Sequence, residues 1–310
     1  MPGARGTGTI LAPRCAARPG AEFGGDAPFG PGSFAVTRLL LALLGALTLG
    51  ASAAAQPEQV TFPSADGQPI QALLFRPAAA GRHPAVVALH GCGGLFDRDG
   101  RLNARHADWG ERLAAAGFLV LMPDSFGSRG VGSQCGMTGR VVRPGRERLG
   151  DAFAAKAYLQ GRPDVESRAV SLLGWSNGGT TLLHVTRAGA RDPFEGPGFA
   201  KAVAFYPGCR IPAERGWHAA IPVLILVGGA DDWTGAEPCR GLAEAARAEG
   251  SPVELVVYPG AYHDFDAPNL PVRERRGLAY TVNQDGVAHV GTDPAAREDA
   301  LRRVPAFLGR

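Results

Sequence analysis

The sequence predicts an α/β fold, a mostly parallel sheet of about eight strands with helices on both faces. Apolar runs of strand length alternate with helix-length segments from Val60 onward, the pattern of repeated strand-helix-strand units. A content of 45% hydrophobic residues in 310 positions is enough to cover both faces of such a sheet. No segment repeats at a period of about 20 to 50 residues, and no Pro/Ser-rich linker interrupts the chain after Gln56, so residues 56–310 read as one domain.

In order, Gln71 to Phe75 and Val86 to Leu89 read as strands, and Asn103 to Ala116 as a helix closed by Gly117, a residue suited to a left-handed C-cap. Phe118 to Met122 is the next strand. Ser125 to Arg143 carries Gly, Ser and Arg without periodicity and reads as a long loop over the sheet edge. A helix from Arg146 to Gln160 leads to the strand Ala169 to Leu173. Strands follow at Ala202 to Tyr206, Val223 to Val227 and Val253 to Tyr258, with helices from Glu237 to Ala248 and from Ala295 to Leu308.

Residues 1–55 read as an upstream segment and a secretory signal peptide. Residues 1–35 are rich in Gly, Pro and Ala, and translation from an alternative start near Val36 would leave them untranslated. Arg38, the apolar run Leu39 to Leu49 and the small residues of Ala51 to Ala55 then supply the basic, apolar and cleavage regions of an export signal. The run is too short for a comfortable membrane span, so no stable membrane anchor is expected after cleavage, and the domain is expected to be periplasmic or secreted. The formal charge of +3 falls largely in the leader, and nothing in it points to nucleic acid.

Export changes how the cysteines read. Cys15 leaves with the leader, and Cys92, Cys135, Cys209 and Cys239 remain in an oxidising compartment. Cys209 and Cys239 each follow one of two neighbouring strands at the same sheet edge, which pairs them and leaves Cys92 for Cys135. Four free buried thiols are the alternative. No Cys-x2-Cys spacing suggests a metal, and none is expected.

The chemistry centres on Gly174-Trp-Ser176-Asn-Gly178 between an apolar strand and an apolar helix. With 44 glycines and ten serines in the chain, Gly-x-Ser-x-Gly arises by chance roughly 0.2 times, so context has to carry it. The context is that of a nucleophile elbow, a turn too sharp for side chains that lifts Ser176 above the sheet edge. The overlapping Gly174-x4-Gly179 has Thr180 where a phosphate loop needs lysine, so nucleotide binding is excluded.

An acylating serine needs a base, an orienting acid and oxyanion donors, in the chain order Ser, acid, His for this architecture. The strand Val223 to Val227 ends in Gly228-Gly-Ala-Asp231-Asp232, and Val253 to Tyr258 ends in Pro259-Gly-Ala-Tyr-His263. Each thus lies past the C-terminal end of a strand, where open α/β sheets bind ligands. His263 is the expected base. His184 points down the elbow helix, His83, His106, His218 and His289 have no strand end to fix them, and His90 has a shaping role before Gly91. The glycine turn His90-Gly-Cys92-Gly-Gly94 makes the amides of Cys92 and Asn177 the expected oxyanion donors.

His90 to Gly94, Pro123-Asp-Ser-Phe-Gly127, Gly174 to Gly178, Phe205-Tyr-Pro-Gly208, Gly228 to Thr234 and Tyr258 to Phe265 together resemble the dienelactone hydrolase family of α/β-hydrolases, over roughly Val60 to Leu308. The resemblance implies an α/β-hydrolase fold and hydrolysis of a small ester or lactone without metal or organic cofactor. Its Gly-x-x-Asp turn matches Gly228 to Asp231 and selects Asp231 over Asp232. Its Gly-x-x-His turn matches Gly260 to His263. Founding members use a cysteine nucleophile, whereas Ser176 resembles the esterase-like relatives, so the expected enzyme is an exported serine carboxylic ester hydrolase.

Phe126, Trp175, Tyr206, Trp233 and Tyr262 are expected to line the acyl pocket, and Arg129 to meet a substrate carboxylate. An exported serine peptidase is the first rival, ranked lower because no substrate-selecting segment precedes the domain. A non-catalytic binding module is the second, disfavoured because no triad member is missing. The natural substrate and oligomeric state are not legible.

Overall fold

The computed structural model describes residues 56–309. The upstream segment and export signal lie outside the described residues. All described residues fall in one compact unit. The elements, in order, are β1 (Glu58–Pro63), β2 (Pro69–Phe75), β3 (His83–Leu89), α1 (Ala104–Ala115), β4 (Leu119–Pro123), α2 (Glu147–Gln160), β5 (Val165–Trp175), α3 (Asn177–Thr186), β6 (Ala202–Phe205), α4 (Arg210–Glu214), β7 (Val223–Gly228), α5 (Glu237–Ala248), β8 (Val253–Tyr258), β9 (Arg273–Arg275), β10 (Ala288–Val290) and α6 (Pro294–Gly309).

Eight strands form one sheet in the order β1-β2-β4-β3-β5-β6-β7-β8. β2 runs antiparallel to both neighbours, and every pair from β4 to β8 is parallel. The reason is in the composition of the strands. Residues of β4, β6 and β7 are buried throughout, as happens when helices cover both faces and no alternation with polar residues is needed. α5 shows the complementary pattern, burying Cys239, Leu242, Ala243 and Ala246 on one stripe while its charged residues face outward.

β1, α4 and a two-stranded ribbon were not read from the sequence. Between β8 and α6, residues Arg273–Arg275 and Ala288–Val290 pair as an antiparallel two-stranded ribbon. With Cys92, Cys135, Trp233 and Leu278, the ribbon residues Ala288 and Val290 bury a small second core apart from the main one. Two disulfides fasten this upper layer and the sheet edge, Cys92–Cys135 from the turn after β3 to the long loop and Cys209–Cys239 from the end of β6 to α5. No described helix is long and apolar enough to cross a membrane.

Candidate active site

β5 ends at Trp175 and α3 begins at Asn177, so Ser176 alone makes the turn between them. Its φ of 51° and ψ of −111° lie where L-residues rarely go, a conformation that costs about 1–3 kcal/mol and survives only where neighbours enforce it. Here the Ser176 N–H donates to the Phe205 carbonyl at 2.9 Å, and the Thr180 N–H donates to the Ser176 carbonyl at 2.8 Å. Gly178 allows the close approach, because a Cβ there would lie 2.1 Å from the Leu89 carbonyl oxygen. The Ser176 side chain, 8% exposed, reaches the surface of a cavity and its hydroxyl has no hydrogen-bond partner among the described residues.

The turns that carry Asp231 and His263 meet at the same edge. A Cβ on Gly228 would lie 2.2 Å from the Ala261 carbonyl oxygen, so only glycine lets the turn after β7 press against the turn after β8. The Ala230 N–H then donates to that carbonyl at 3.0 Å. His263 Nδ1 lies 2.8 Å from Asp231 Oδ2. Asp231 is held in turn by the Trp233 N–H at 2.9 Å, the Thr234 N–H at 3.0 Å and the Thr234 hydroxyl at 2.9 Å. Burial works against a charged His263, yet the Asp231 charge and hydrogen bond outweigh it and raise its pKa above the ordinary 6.5. Burial likewise opposes the Asp231 charge, but His263 and Thr234 hold its pKa below the ordinary 3.8.

Asp232, the next residue, serves a different histidine. Its Oδ2 lies 2.7 Å from His289 Nδ1, and its Oδ1 accepts the His289 N–H at 2.8 Å. His289 lies on β10, beside Val290, which bridges to His263. His289, expected to have no strand to fix it, is therefore corrected: it belongs to the ribbon and anchors it.

A buried polar network lies beneath His263. Arg105 bonds the Tyr206 hydroxyl at 2.8 Å and pairs with Asp264. Tyr206 donates to Asp266 Oδ1 at 2.5 Å, while Trp109 and Trp175 both donate to Asp266 Oδ2 at 2.8 Å. The Tyr206 ring lies 4.3 Å from that of His263, so the network forms the floor under the imidazole.

Two backbones meet beside Ser176. At the start of α3 the N–H groups of Asn177, Gly178 and Gly179 have no intrahelical acceptor, since Ser176 supplies the first. Opposite, the turn closed by Gly94 N–H to Gly91 O at 3.2 Å carries Cys92, and the nearest side-chain atom of the elbow to a Cβ on Gly91 would be Ser176 Cβ at 3.6 Å. Arg148 joins the two: its Nη1 donates to Asn177 Oδ1 at 2.5 Å and its Nη2 to the His90 carbonyl at 2.7 Å. It is wholly buried, and burial lowers its pKa, opposed by the charges of Asp151 and Asp124.

The cavity at Ser176 measures about 470 Å³. Cys92, Asn177, Thr180, Trp233 and Thr234 are among the residues that line it. Arg140, Arg143, Arg210 and His184 lie on its walls. Among the described residues no group of His, Cys, Asp and Glu could hold a metal ion.

Most of the expected pocket residues lie elsewhere, and Trp233 alone of them lines the cavity. Arg129 is committed to a bidentate pair with Asp151 at 2.8 Å and a second contact with Asp66 at 3.1 Å, so it has no free fork for a substrate. Trp175 and Tyr206 turn inward to Asp266. Phe126 is 1% exposed and packs between His90 and Arg148. Tyr262 stacks near His289, with ring centroids 5.1 Å apart. A place beside a site residue or just past a strand end brings a side chain near the site but on either side of the backbone, and Phe126, Trp175 and Tyr206 are buried in the core.

Arg148, Thr234 and the Arg105 network were not singled out in the sequence. For Arg148 a signal exists: it lies on the same helical stripe as Ala152, Ala155 and Leu159, all buried, and a charge on a core-facing stripe needs a buried partner.

The dienelactone hydrolase family model matches residues 70–310. A protein of Methylorubrum extorquens named as a carboxymethylenebutenolidase is 27% identical, with 69% of this chain and 73% of that protein covered. An uncharacterized protein of Mycobacterium tuberculosis is 30% identical over 66% of this chain and 72% of its own length. Among solved structures, a dienelactone hydrolase from Klebsiella pneumoniae has a TM-score of 0.60 at 19% identity, covering 82% of this chain and 98% of that one. Thermogutta terrifontis esterase 2 has a TM-score of 0.61 at 20% identity, covering 83% and 94%. These two likenesses bear on the fold alone, but the family model spans most of the chain, which therefore belongs to the dienelactone hydrolase family, carboxylic ester hydrolases on the α/β-hydrolase fold.

Proposed function

We propose that the chain is an exported serine hydrolase that cleaves a small carboxylic ester or lactone through an acyl-enzyme. The observation that carries the reading is the 2.8 Å pair of His263 and Asp231 at the sheet edge where Ser176 opens into the cavity. His263 Nε2 takes the proton of Ser176 Oγ as that oxygen attacks the carbonyl carbon. The amides of Cys92 and Asn177 bind the oxyanion. Collapse breaks the bond to the alcohol oxygen, which leaves with the proton from His263, and in a lactone that alcohol stays tethered to the acyl group. Water then gives a proton to His263, attacks the acyl carbon and releases the acid, and Ser176 regains its proton. Relatives named carboxymethylenebutenolidase support a lactone or small ester as substrate. Two disulfides and the apolar run Leu39 to Leu49 behind Arg38 support export of residues 56–310 as a single domain.

Paraoxon tests the acyl-enzyme step directly. Incubation is expected to add one diethylphosphoryl group to the tryptic peptide holding Ser176, with activity lost in proportion. Ester hydrolysis that persists with no label on Ser176 would overturn the reading.

The pH profile follows from the raised pKa of His263. The base works only when neutral, so kcat/KM for a neutral ester is expected to fall as pH drops through an apparent pKa above 6.5. Asp231→Asn removes the charge that raises it, and the acid limb is expected to move to lower pH. A limb that stays in place would show that Asp231 does not act on the base. The stability consequence has two sides. The His263 contribution is present below its unfolded pKa and is lost as pH rises through the folded one. The Asp231 contribution is present above its unfolded pKa and is lost as pH falls through the folded one.

A further inference from the structure

A second cavity, of about 700 Å³, adjoins the one at Ser176: Arg143, Gly145, His184 and Ile211 line both. The partition is thin. Gly145 passes over His184 so closely that a Cβ on it would lie 3.0 Å from the imidazole ring. Beyond the partition stand Arg146, Arg187 and Arg215. Across the two cavities the walls carry Arg140, Arg143, Arg146, Arg187, Arg210 and Arg215, and no aspartate or glutamate lines either one.

The chain as a whole does not explain this. It carries 32 Lys and Arg against 29 Asp and Glu, close to balance, so a wall without carboxylates beside the reactive serine is a local segregation of charge. Some of that charge is spent within the protein, since Arg143 pairs with Glu147 at 2.8 Å and Arg146 reaches the same carboxylate at 3.6 Å. Arg140 stacks on Tyr280 and donates to the Gln134 carbonyl. Arg140, Arg187, Arg210 and Arg215 have no carboxylate partner among the described residues. The histidine at the partition responds to the same field: burial lowers the His184 pKa, and the charges of Arg215 and Arg187 lower it further. Concave walls of one sign concentrate counter-ions, and guanidinium groups match oxyanions in bidentate fashion.

We propose that the second cavity is an anion subsite of the same active site, and that the substrate is an ester whose part distal to the scissile bond carries a multivalent oxyanion of phosphate or polycarboxylate type. The inference rests on the serine hydrolase reading for the reaction but not for the binding. A single carboxylate close to the ester would need only the walls of the first cavity. Arginines continuing past His184 provide for charge further along the substrate.

The test separates binding from turnover. Tripolyphosphate and citrate are titrated calorimetrically into Ser176→Ala at constant ionic strength, with acetate as the monovalent control. At least one multivalent anion is expected to bind at least tenfold more tightly than acetate, and which of the two binds better distinguishes phosphate from polycarboxylate chemistry. The double variant Arg187→Gln/Arg215→Gln, both side chains exposed, is expected to weaken that binding at least tenfold with thermal unfolding unchanged. In the enzyme with Ser176 intact, the same anion is expected to inhibit hydrolysis of a neutral nitrophenyl ester competitively. Binding no tighter than acetate, or equal binding by the double variant, would overturn the subsite. If Ser176→Ala still hydrolyses the ester, the catalytic reading fails while the binding result stands.

Discussion

Ser176→Ala is expected to lower kcat/KM for nitrophenyl esters by at least about 10⁴-fold while leaving the fold intact, because the members of a triad act as one unit and the loss of any one forfeits most of their joint effect. The residual rate is then set by the oxyanion amides and by binding, which the substitution leaves alone. The fold should not notice, since the serine hydroxyl makes no hydrogen bond among the described residues, and alanine meets the same strained φ of 51° that serine already bears. A further change of His263 to alanine is expected to add little to the loss. Steady-state kinetics of both variants, with thermal unfolding as the control for folding, checks this. Equal rates for Ser176→Ala and the unmodified enzyme would end the triad mechanism.

Gly178→Ala is expected to have the largest effect on stability, at least about 3 kcal/mol by urea unfolding. Helix propensity alone argues the opposite, since alanine in place of a helical glycine should gain up to about 1 kcal/mol. The collision decides the sign. The new Cβ would sit 2.1 Å from the Leu89 carbonyl oxygen and 2.7 Å from that of His90. Those atoms belong to the end of a central strand and to the glycine turn that follows it, backbone that cannot step aside as a flexible side chain would. Gly132→Ala, where a Cβ would meet nothing within 4 Å, is the control and is expected to change stability by less than about 0.5 kcal/mol. Similar stabilities for the two variants would show that the elbow is looser than its contacts imply.

How much of this was legible in the sequence differs from element to element. Strands such as Val223 to Gly228, buried on both faces, announce themselves as unbroken apolar runs, and the helix Glu237 to Ala248 is read to the residue from its amphipathic stripe. The ribbon of Arg273–Arg275 and Ala288–Val290 has only three residues per strand, too few for an alternation to register. Site residues carried on strand ends were legible, because topology alone sends every parallel strand's C-terminal end to one edge. The pocket was not. Trp175 lies beside Ser176 in the chain, and Phe126 and Tyr206 just past the ends of β4 and β6, but whether a side chain faces the cavity or the core depends on backbone twists at single positions, such as Tyr206 with its φ of 35°. Arg129 illustrates the same limit, for its partners Asp66 and Asp151 lie 63 and 22 residues away.

The neighbouring aspartates of the acid turn have one more consequence. Asp231 holds His263, Asp232 holds His289, and the strand of His289 returns through Val290 and Gly291 to His263, whose carbonyl accepts the Gly291 N–H at 3.0 Å. Followed from atom to atom, the path closes on itself. The imidazole is held through Nδ1 by Asp231, while the backbone that carries it is held separately by the ribbon. Its rotational freedom is therefore surrendered once, when the chain folds, and not again at each catalytic cycle.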